Sequence, residues 1–233
     1  MPESRSEIVG AVVGLVAPYA VWMILMAALP STASAYAIRT LATAATLGLS
    51  FVLLRREKGL NLGWVLPRGK IGRAGLWAFG MGLLVFAFWA LPEDYAWYRR
   101  FVLFGRGALE STEPSPVDPA VCGWPLTWVR LVGSAFIIAP AEELFFRSFL
   151  YRSIQGLDWR KTDPAHFQLT AFLWMVALFA VEHDPRFVVG ALAGVAYGFL
   201  ALRMGLLSAI LAHVITNLVL GLYVIETGKW AFW

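Results

Sequence analysis

The sequence predicts an all-α fold, a polytopic bundle of about seven to eight transmembrane helices. Of the 233 residues, 59% are hydrophobic and only 15% are charged, whereas soluble domains carry about 25% charged residues. Three long stretches contain no Asp, Glu, Lys or Arg: residues 8–38, 74–92 and 204–225. A helix needs roughly 20 apolar residues to cross a bilayer. We therefore predict one integral membrane domain over residues 1–233.

Gly and Pro residues divide the apolar sequence into seven predicted spans. The first apolar stretch is too long for the hydrophobic part of a signal peptide, and Glu3 and Glu7 precede it, so we interpret it as a span. Pro140 is expected to bend the fourth span. The pair Asp163-Pro164 predicts the start of the fifth. The predicted spans are residues 8–29, 34–54, 72–91, 125–150, 165–183, 187–202 and 205–225.

The distribution of Lys and Arg predicts a cytoplasmic N-terminus, because cytoplasmic segments of membrane proteins are enriched in these residues. With that orientation the inner segments hold eleven basic residues and the outer segments five. Topology therefore accounts for the net charge of +4, and we predict no nucleic-acid partner. The inner set is Arg5, Arg55, Arg56, Lys58, Arg68, Lys70, Arg73, Arg152, Arg160, Lys161 and Arg203, and the outer set is Arg99, Arg100, Arg106, Arg186 and Lys229.

Polar side chains are concentrated in the last four predicted spans. An ionisable side chain inside a span costs at least about 2.5–3.5 kcal/mol, and such residues usually face the bundle interior and mark a functional site. The first three spans contain almost none. Cys122 is the only cysteine, which excludes an intramolecular disulfide and a cysteine-based metal site. The polar set is Glu142, Glu143, Arg147, His183, His213 and Asn217.

The first cluster lies in the fourth span. Glu143 and Arg147 are four residues apart, so they share a helix face and can pair. Glu142 is turned by about 100° from that face. We therefore predict that Glu143 and Arg147 form a structural pair and that Glu142 is a free carboxylate. The alternative is that all three form one buried ion network that holds helices together.

Two histidines occupy later spans. Phe179 precedes His183 by four residues, so its ring could pack against the imidazole. His213 and Asn217 have the same spacing and share one face of the last span. The alternatives are that His183 is an interfacial residue at a helix end, which the neighbouring Glu182 would favour, and that His213 and Asn217 are interhelical hydrogen-bonding groups.

A carboxylate, two imidazoles and an amide together suit a hydrolytic site. A carboxylate can take a proton from water, and a histidine can orient that water or return the proton. A second histidine and an amide can stabilise an oxyanion. The sequence contains no Gly-x-Ser-x-Gly or His-Glu-x-x-His motif, so a serine nucleophile is not expected.

The three motifs resemble, in order, those of the CPBP family, the type II CAAX prenyl endopeptidases also called Abi proteins. They are Glu142-Glu143-x-x-x-Arg147, Phe179-x-x-x-His183 and His213-x-x-x-Asn217, and the similarity extends over residues 125–220. The resemblance implies an intramembrane peptidase whose active site lies in a cavity reached from the cytosol or the lipid. It also implies a peptide or membrane-protein substrate.

The resemblance further implies a role for each residue. Glu142 would be the base and His183 its partner, and His213 with Asn217 would form the oxyanion site. Glu143, Arg147 and Phe179 would support them. The family has been labelled metallopeptidase, so Zn²⁺ held by Glu142, His183 and His213 is an alternative. Because Asn217 is a poor zinc ligand, we favour a mechanism without a cofactor.

Some bacterial members of this family are linked with exosortase protein-sorting systems, and this small, Trp-rich chain resembles them. The predicted location is therefore the bacterial inner membrane. Two other functions remain open from the residues alone. One is a non-catalytic bacteriocin-immunity or scaffold protein that uses the same polar network, and the other is a proton-linked transporter.

One feature of the predicted spans conflicts with a shared site. Glu142 lies roughly 12 Å from the inner end of its span at 1.5 Å per residue, and His213 is similarly deep. His183 lies near the outer end of its own span. The three can meet only if the span limits differ from those predicted, or if the helices break near Pro140 and Pro185.

Overall fold

The computed structural model describes residues 5–57, 60–64, 71–90, 95–102, 115–156 and 158–233, and every regular element within these ranges is helical. The first five helices are α1 Arg5–Ala28, α2 Ala33–Arg56, α3 Ile71–Ala90, α4 Ala96–Val102 and α5 Pro119–Cys122. Helix α6 covers residues 124–155, and it is followed by α7 Leu169–Glu182, α8 Phe187–Met204, α9 Leu206–Thr227 and the 3₁₀ turn Trp230–Phe232.

Helices α1, α2, α3, α8 and α9 are long and apolar enough to cross a membrane, and α7 is a shorter apolar helix. Together with α6 they correspond to the seven predicted spans, so the prediction of a polytopic helical membrane bundle is confirmed. Large apolar side chains such as Leu41, Leu76 and Val181 are about 70% exposed, at 69%, 72% and 69%. Such a surface is suited to lipid rather than to water.

Helix α6 is a continuous right-handed helix with two π-helical stretches, Ser134–Ile138 and Leu144–Leu150. Between them lies the short α-helical stretch Ala139–Glu143, which contains Pro140. Proline has no N–H to donate within a helix, and π-helical insertions occur often at functional sites. The bend predicted at Pro140 stays a prediction, and the structure shows a change of helix type on both sides of the glutamate pair.

Small residues bring the helices of the second half close together. A Cβ atom added at Gly82 in α3 would lie 2.7 Å from the Ala212 carbonyl oxygen of α9. Along α8, Gly190, Gly194 and Gly198 all face α7. A Cβ atom added at any of the three would lie within 3.3 Å of an atom of α7 or of His183, which follows it. Small residues at such spacing allow close backbone approach between membrane helices.

The predicted start of the fifth span at Asp163-Pro164 is wrong. The Asp163 carboxylate accepts the N–H of Ala165, and its carbonyl accepts that of His166, which closes a turn. The Tyr151 hydroxyl, from the end of α6, donates to the His166 carbonyl and accepts the N–H of Gln168. This tertiary contact keeps the connection extended, and α7 begins only at Leu169.

Several residues used for the topology prediction lie outside the described residues, namely Lys58, Arg68, Lys70 and Arg106. Glu93, Asp94, Glu110 and Glu113 of the predicted outer loop also lie outside them.

Candidate active site

A cavity of about 250 Å³ lies within the helical bundle, and Glu142, His183, His213 and Asn217 all line it. Glu142 comes from α6, His183 follows the last residue of α7, and His213 and Asn217 lie on α9. The structure therefore brings together the four residues for which the sequence predicts a shared site. Other lining residues are Trp22, Tyr36, Trp89, Arg130, Glu182 and Tyr197.

Glu143 is the centre of a buried network beneath the cavity. Its Oε1 atom lies 3.0 Å from Arg147 Nη1 and 2.9 Å from His213 Nδ1. The glutamate is fully buried, and the other two side chains are nearly so. A carboxylate paired with Arg147 acts as an acceptor, so the Nδ1 of His213 carries the hydrogen. Glu143 and Arg147 thus form the ion pair that their i, i+4 spacing predicts.

Glu142 has a different environment from its neighbour. Its Oε2 atom is buried and has no hydrogen-bond partner among the described residues. The nearest basic group is the Nε2 atom of His213, at 3.8 Å. This distance is too long for a hydrogen bond. The carboxylate is thus directed at the cavity with capacity to accept a proton.

His183 is fixed by the last turn of α7. Its Nδ1 atom lies 2.7 Å from the Phe179 carbonyl oxygen. Because a carbonyl only accepts hydrogen bonds, the Nδ1 atom carries the hydrogen and the Nε2 atom of the neutral ring is an acceptor. The Phe179 ring lies 4.5 Å from the imidazole, as the i, i+4 spacing predicts, and the Trp89 ring meets it edge-on at 5.5 Å.

His213 is held by an aromatic ring as well as by Glu143. The Tyr197 ring of α8 stacks on it with a centroid distance of 4.7 Å and an angle of 21°. The Tyr197 hydroxyl donates to Thr216 Oγ1 at 2.7 Å, and the Thr216 hydroxyl can donate to the Gly82 carbonyl of α3 at 2.9 Å. Three helices therefore set the orientation of this imidazole.

Asn217 uses its amide to join α9 to α6. Its Nδ2 atom donates to the Ser134 carbonyl at 3.0 Å. That carbonyl lies in the first π-helical stretch and also accepts the N–H of Ala139. One of the two amide hydrogens is used in this way, which leaves a second donor on the same nitrogen.

The position of His183 at the end of its helix is confirmed, because α7 ends at Glu182 and His183 follows it. The helix has 14 residues and extends about 21 Å at 1.5 Å per residue, which is less than the roughly 30 Å of bilayer hydrocarbon. The predicted full-length span is wrong, since α7 begins four residues later than predicted. His183 nevertheless lines the same cavity as Glu142 and His213.

Glu182 is a cavity residue, whereas the sequence predicts it only as a sign that the helix ends nearby. Its side chain lines the cavity, and its Oε2 atom is buried without a partner among the described residues. The Tyr19 hydroxyl of α1 lies beside its carboxylate. The sequence contains a signal for this role, because Glu182 is an acidic residue inside an apolar span, next to the motif residue His183. An acidic side chain in such a position is costly.

The zinc alternative needs three ligands in one place. Among the described residues, no group of three His, Cys, Asp or Glu side chains is arranged to hold a metal ion. The Nδ1 atoms of His183 and His213 are both held by protein oxygens, which leaves the Nε2 atom of each ring free. The zinc alternative stays a prediction, and we derive no step through a metal.

Comparison with known families gives a match in the second half of the chain. Residues 123–219 match the family model described as Type II CAAX prenyl endopeptidase Rce1-like. This region is therefore similar to the Rce1-like family. The match covers helices α6 to α8 and the motif residues of α9, and it bears out the resemblance that the three motifs predict. Searches of curated proteins and of solved structures gave no match.

Proposed function

We propose that this protein is an intramembrane endopeptidase that hydrolyses a peptide bond near the membrane by means of water activated by Glu142 and His183. The observation that carries the proposal is the convergence of Glu142, His183, His213 and Asn217 on one cavity. The Rce1-like match supports the reaction class, because its family is one of CAAX prenyl endopeptidases.

The first step is attack by water. The buried Oε2 atom of Glu142 has no donor, so it can accept a hydrogen from a water in the cavity and then take that proton as the water oxygen bonds to the scissile carbonyl carbon. The Nε2 atom of His183 can accept the second hydrogen of the same water, because its Nδ1–H is held by Phe179. The two acceptors would orient the nucleophile.

The second step is stabilisation of the oxyanion. His213 gives its Nδ1 hydrogen to Glu143, so it can donate through Nε2 only when the ring carries both protons. Glu143 lies 2.9 Å from Nδ1 of this ring, and Glu142 lies 3.8 Å from Nε2. The free amide hydrogen of Asn217 is the second donor. When the C–N bond breaks, Glu142 returns its proton to the leaving amine.

The substrate of this mechanism is a peptide or membrane protein that enters the cavity from the bilayer or the cytosol. Aromatic residues such as Trp22, Trp89 and Tyr197 line its walls, which suits apolar substrate side chains. The excess of Lys and Arg in the predicted inner segments supports a cytoplasmic N-terminus and a bacterial inner-membrane location. A link with exosortase sorting systems stays a prediction.

Substitution of Glu142 by Gln tests the proposal. Host cells that lack the protein would be complemented with wild type or with Glu142→Gln, and the peptide termini of the membrane fractions would be compared. We expect product termini to fall by about 10²–10⁴-fold, the usual effect of losing a general base. Thermal unfolding in detergent should remain close to that of wild type, because glutamine conserves the shape.

Glu226→Gln is the matched control, because this residue is exposed at the end of α9 and does not line the cavity. The control should cleave like wild type. If Glu142→Gln cleaved equally well, the water-activation mechanism would be removed. Wild type could also produce no new termini, while cells with either variant show the same phenotype as cells with wild type. That result would favour the immunity or scaffold alternative.

Chelation tests the absence of a metal. We expect full peptidase activity after exhaustive chelation of the purified protein, because Glu142 and His183 activate the water directly. Loss of activity followed by specific rescue with Zn²⁺ would overturn the metal-free mechanism.

A further inference from the structure

Two arginines in the membrane-spanning helices have no counter-charge among the residues that the structure describes. Arg39 of α2 is only 7% exposed, and Arg130 of α6 lines the cavity. The Nε atom of each is buried without a hydrogen-bond partner, and neither has an ion pair within the part of the chain that the structure describes. A guanidinium presents five N–H donors and does not deprotonate in proteins. Within the described residues, neither cation therefore has the oxygen partner that its position demands.

The other buried arginines of the described chain all donate to oxygen atoms. Arg147 pairs with Glu143, and Arg160 pairs with Glu57. Arg152 and Arg186 donate to backbone carbonyl oxygens. The fold thus provides oxygen acceptors for buried guanidinium groups elsewhere, and their absence at Arg39 and Arg130 is a local feature.

Aromatic rings hold the two arginines in one patch. The Arg130 guanidinium lies 4.4 Å from the Tyr36 ring centroid, and that of Arg39 lies 5.5 Å from the same centroid. Arg39 also lies 5.4 Å from the Trp22 ring, and Arg130 lies 5.4 Å from the Trp233 ring. Ring contacts involve the faces of the guanidinium groups, and the buried Nε donor at the edge of each has no acceptor among the described residues. An anion with several oxygens would satisfy both.

The patch lies close to one end of the bundle. Arg39 is six residues from the start of α2, and Arg130 is six residues from the start of α6, so each is about 9 Å below its helix end. The exposed Trp124 and Trp128 rings stack within the first two turns of α6. Exposed tryptophans are typical of the level of lipid headgroups, which long arginine side chains can reach from below.

We propose that Arg39 and Arg130 form a phosphate-binding site, and that the phosphate is supplied by a phospholipid headgroup at the mouth of the cavity. Guanidinium groups bind phosphate oxygens through paired hydrogen bonds. Since Arg130 belongs to both the patch and the cavity wall, a bound lipid would lie beside the entrance to the site. The proposal does not depend on peptide hydrolysis.

Lipid-dependent thermal unfolding tests the site. The delipidated full chain in detergent would be titrated with dioctanoyl phosphatidylglycerol, with dioctanoylglycerol, which lacks the phosphate, or with inorganic phosphate. We expect only the phospholipid to raise the unfolding midpoint at micromolar concentration. Equal stabilisation by the glycerolipid without phosphate would overturn the proposal. Equal stabilisation by inorganic phosphate would overturn the assignment to a lipid.

Arginine substitutions locate the effect. Arg39→Gln and Arg130→Gln should each weaken phosphatidylglycerol binding by about tenfold, which corresponds to the loss of one charge-assisted hydrogen bond. The Arg39→Lys, Arg130→Lys pair keeps both charges and should retain most of the stabilisation. Arg55→Gln and Arg203→Gln are the controls, since these arginines are exposed beside Phe51 and Phe199. Wild-type affinity in both single glutamine variants, or equal loss in the controls, would contradict the assignment.

Native mass spectrometry decides the question if a glutamine variant fails to fold. Copurified phospholipid on both wild type and the lysine pair supports the site, and none on wild type refutes it.

Discussion

Two polar side chains of α2 and three of α9 form hydrogen bonds of different kinds. In α2, Thr46 donates to the Ala42 carbonyl and Ser50 to the Thr46 carbonyl, so both bonds stay within the helix. In α9, His213 bonds Glu143 of α6, and Asn217 donates to the Ser134 carbonyl of the same helix. Thr216 reaches the Gly82 carbonyl of α3.

This difference shows where the bundle needs a fixed arrangement. A hydroxyl that bonds its own helix satisfies itself at any rotation of that helix, so it adds little to association. Bonds between helices exist only at one register and one orientation. The helices that carry the candidate catalytic residues are therefore held in place by polar contacts, whereas the hydroxyls of Thr46 and Ser50 do not fix the position of α2. The predictions below test this contrast.

The largest effect is expected where a charge would lose its partner. Glu143→Gln leaves Arg147 buried beside a neutral amide, and removal of one partner from a buried ion pair costs about 3–5 kcal/mol. It also removes the acceptor that fixes His213. Unfolding in detergent should show this loss of stability, and peptidase activity should fall with it. A variant as stable as wild type would show that the Glu143 network does not hold the helices.

The contact between α3 and α9 should be the next most sensitive. Gly82→Ala places a methyl group 2.7 Å from the Ala212 carbonyl oxygen, and both atoms belong to packed helices. Such overpacking typically costs about 1–3 kcal/mol. Gly80→Ala is the matched control, because a Cβ there meets nothing within 4 Å. We expect the control to unfold at or above the wild-type temperature, and equal destabilisation of both variants would contradict the role of this contact.

The sequence predicted the features of the fold that depend on local spacing. Apolar runs gave the spans, and the i, i+4 rule predicted the pairing of Glu143 with Arg147 and of Phe179 with His183. It could not predict that His213 bonds Glu143, because 70 residues separate them and their meeting depends on how α6 packs on α9. The short α7 was also missed, since the Tyr151 contact that delays its start is tertiary.

The candidate site shows the same limit. The residue types and their order along the chain predicted a polar cavity, but not which side chains share a proton or lack a partner. Glu142 was expected to partner His183, whereas the structure has it nearest to His213, at 3.8 Å. The π-helical stretches around Pro140 change the direction of successive side chains in α6. No periodicity argument based on 3.6 residues per turn includes such a change.

A smaller effect is expected from one hydroxyl in the second half. Tyr197→Phe removes the hydrogen bond to Thr216 but keeps the ring that stacks on His213. The stability loss should be about 1 kcal/mol, the usual value for one hydrogen bond, and cleavage should remain near wild type. Tyr197→Leu also removes the stacked ring, so it should reduce activity further. If both variants cleaved equally, the stacked ring would have no positioning role.

The smallest effect is expected from a hydroxyl that bonds only its own helix. Ser50→Ala removes a bond of 2.8 Å to the Thr46 carbonyl, but that carbonyl keeps its place in the helix and alanine is the better helix former. We expect the free energy of unfolding in detergent to change by no more than about 0.5 kcal/mol.

Thr216→Val is the matched change in α9, where the hydroxyl bonds both Tyr197 and Gly82. It should cost more, about 1–3 kcal/mol, because the buried Tyr197 hydroxyl loses its acceptor. Equal costs at the two positions would mean that hydrogen bonds between helices add no more to this bundle than those within a helix, and that apolar packing alone fixes α9.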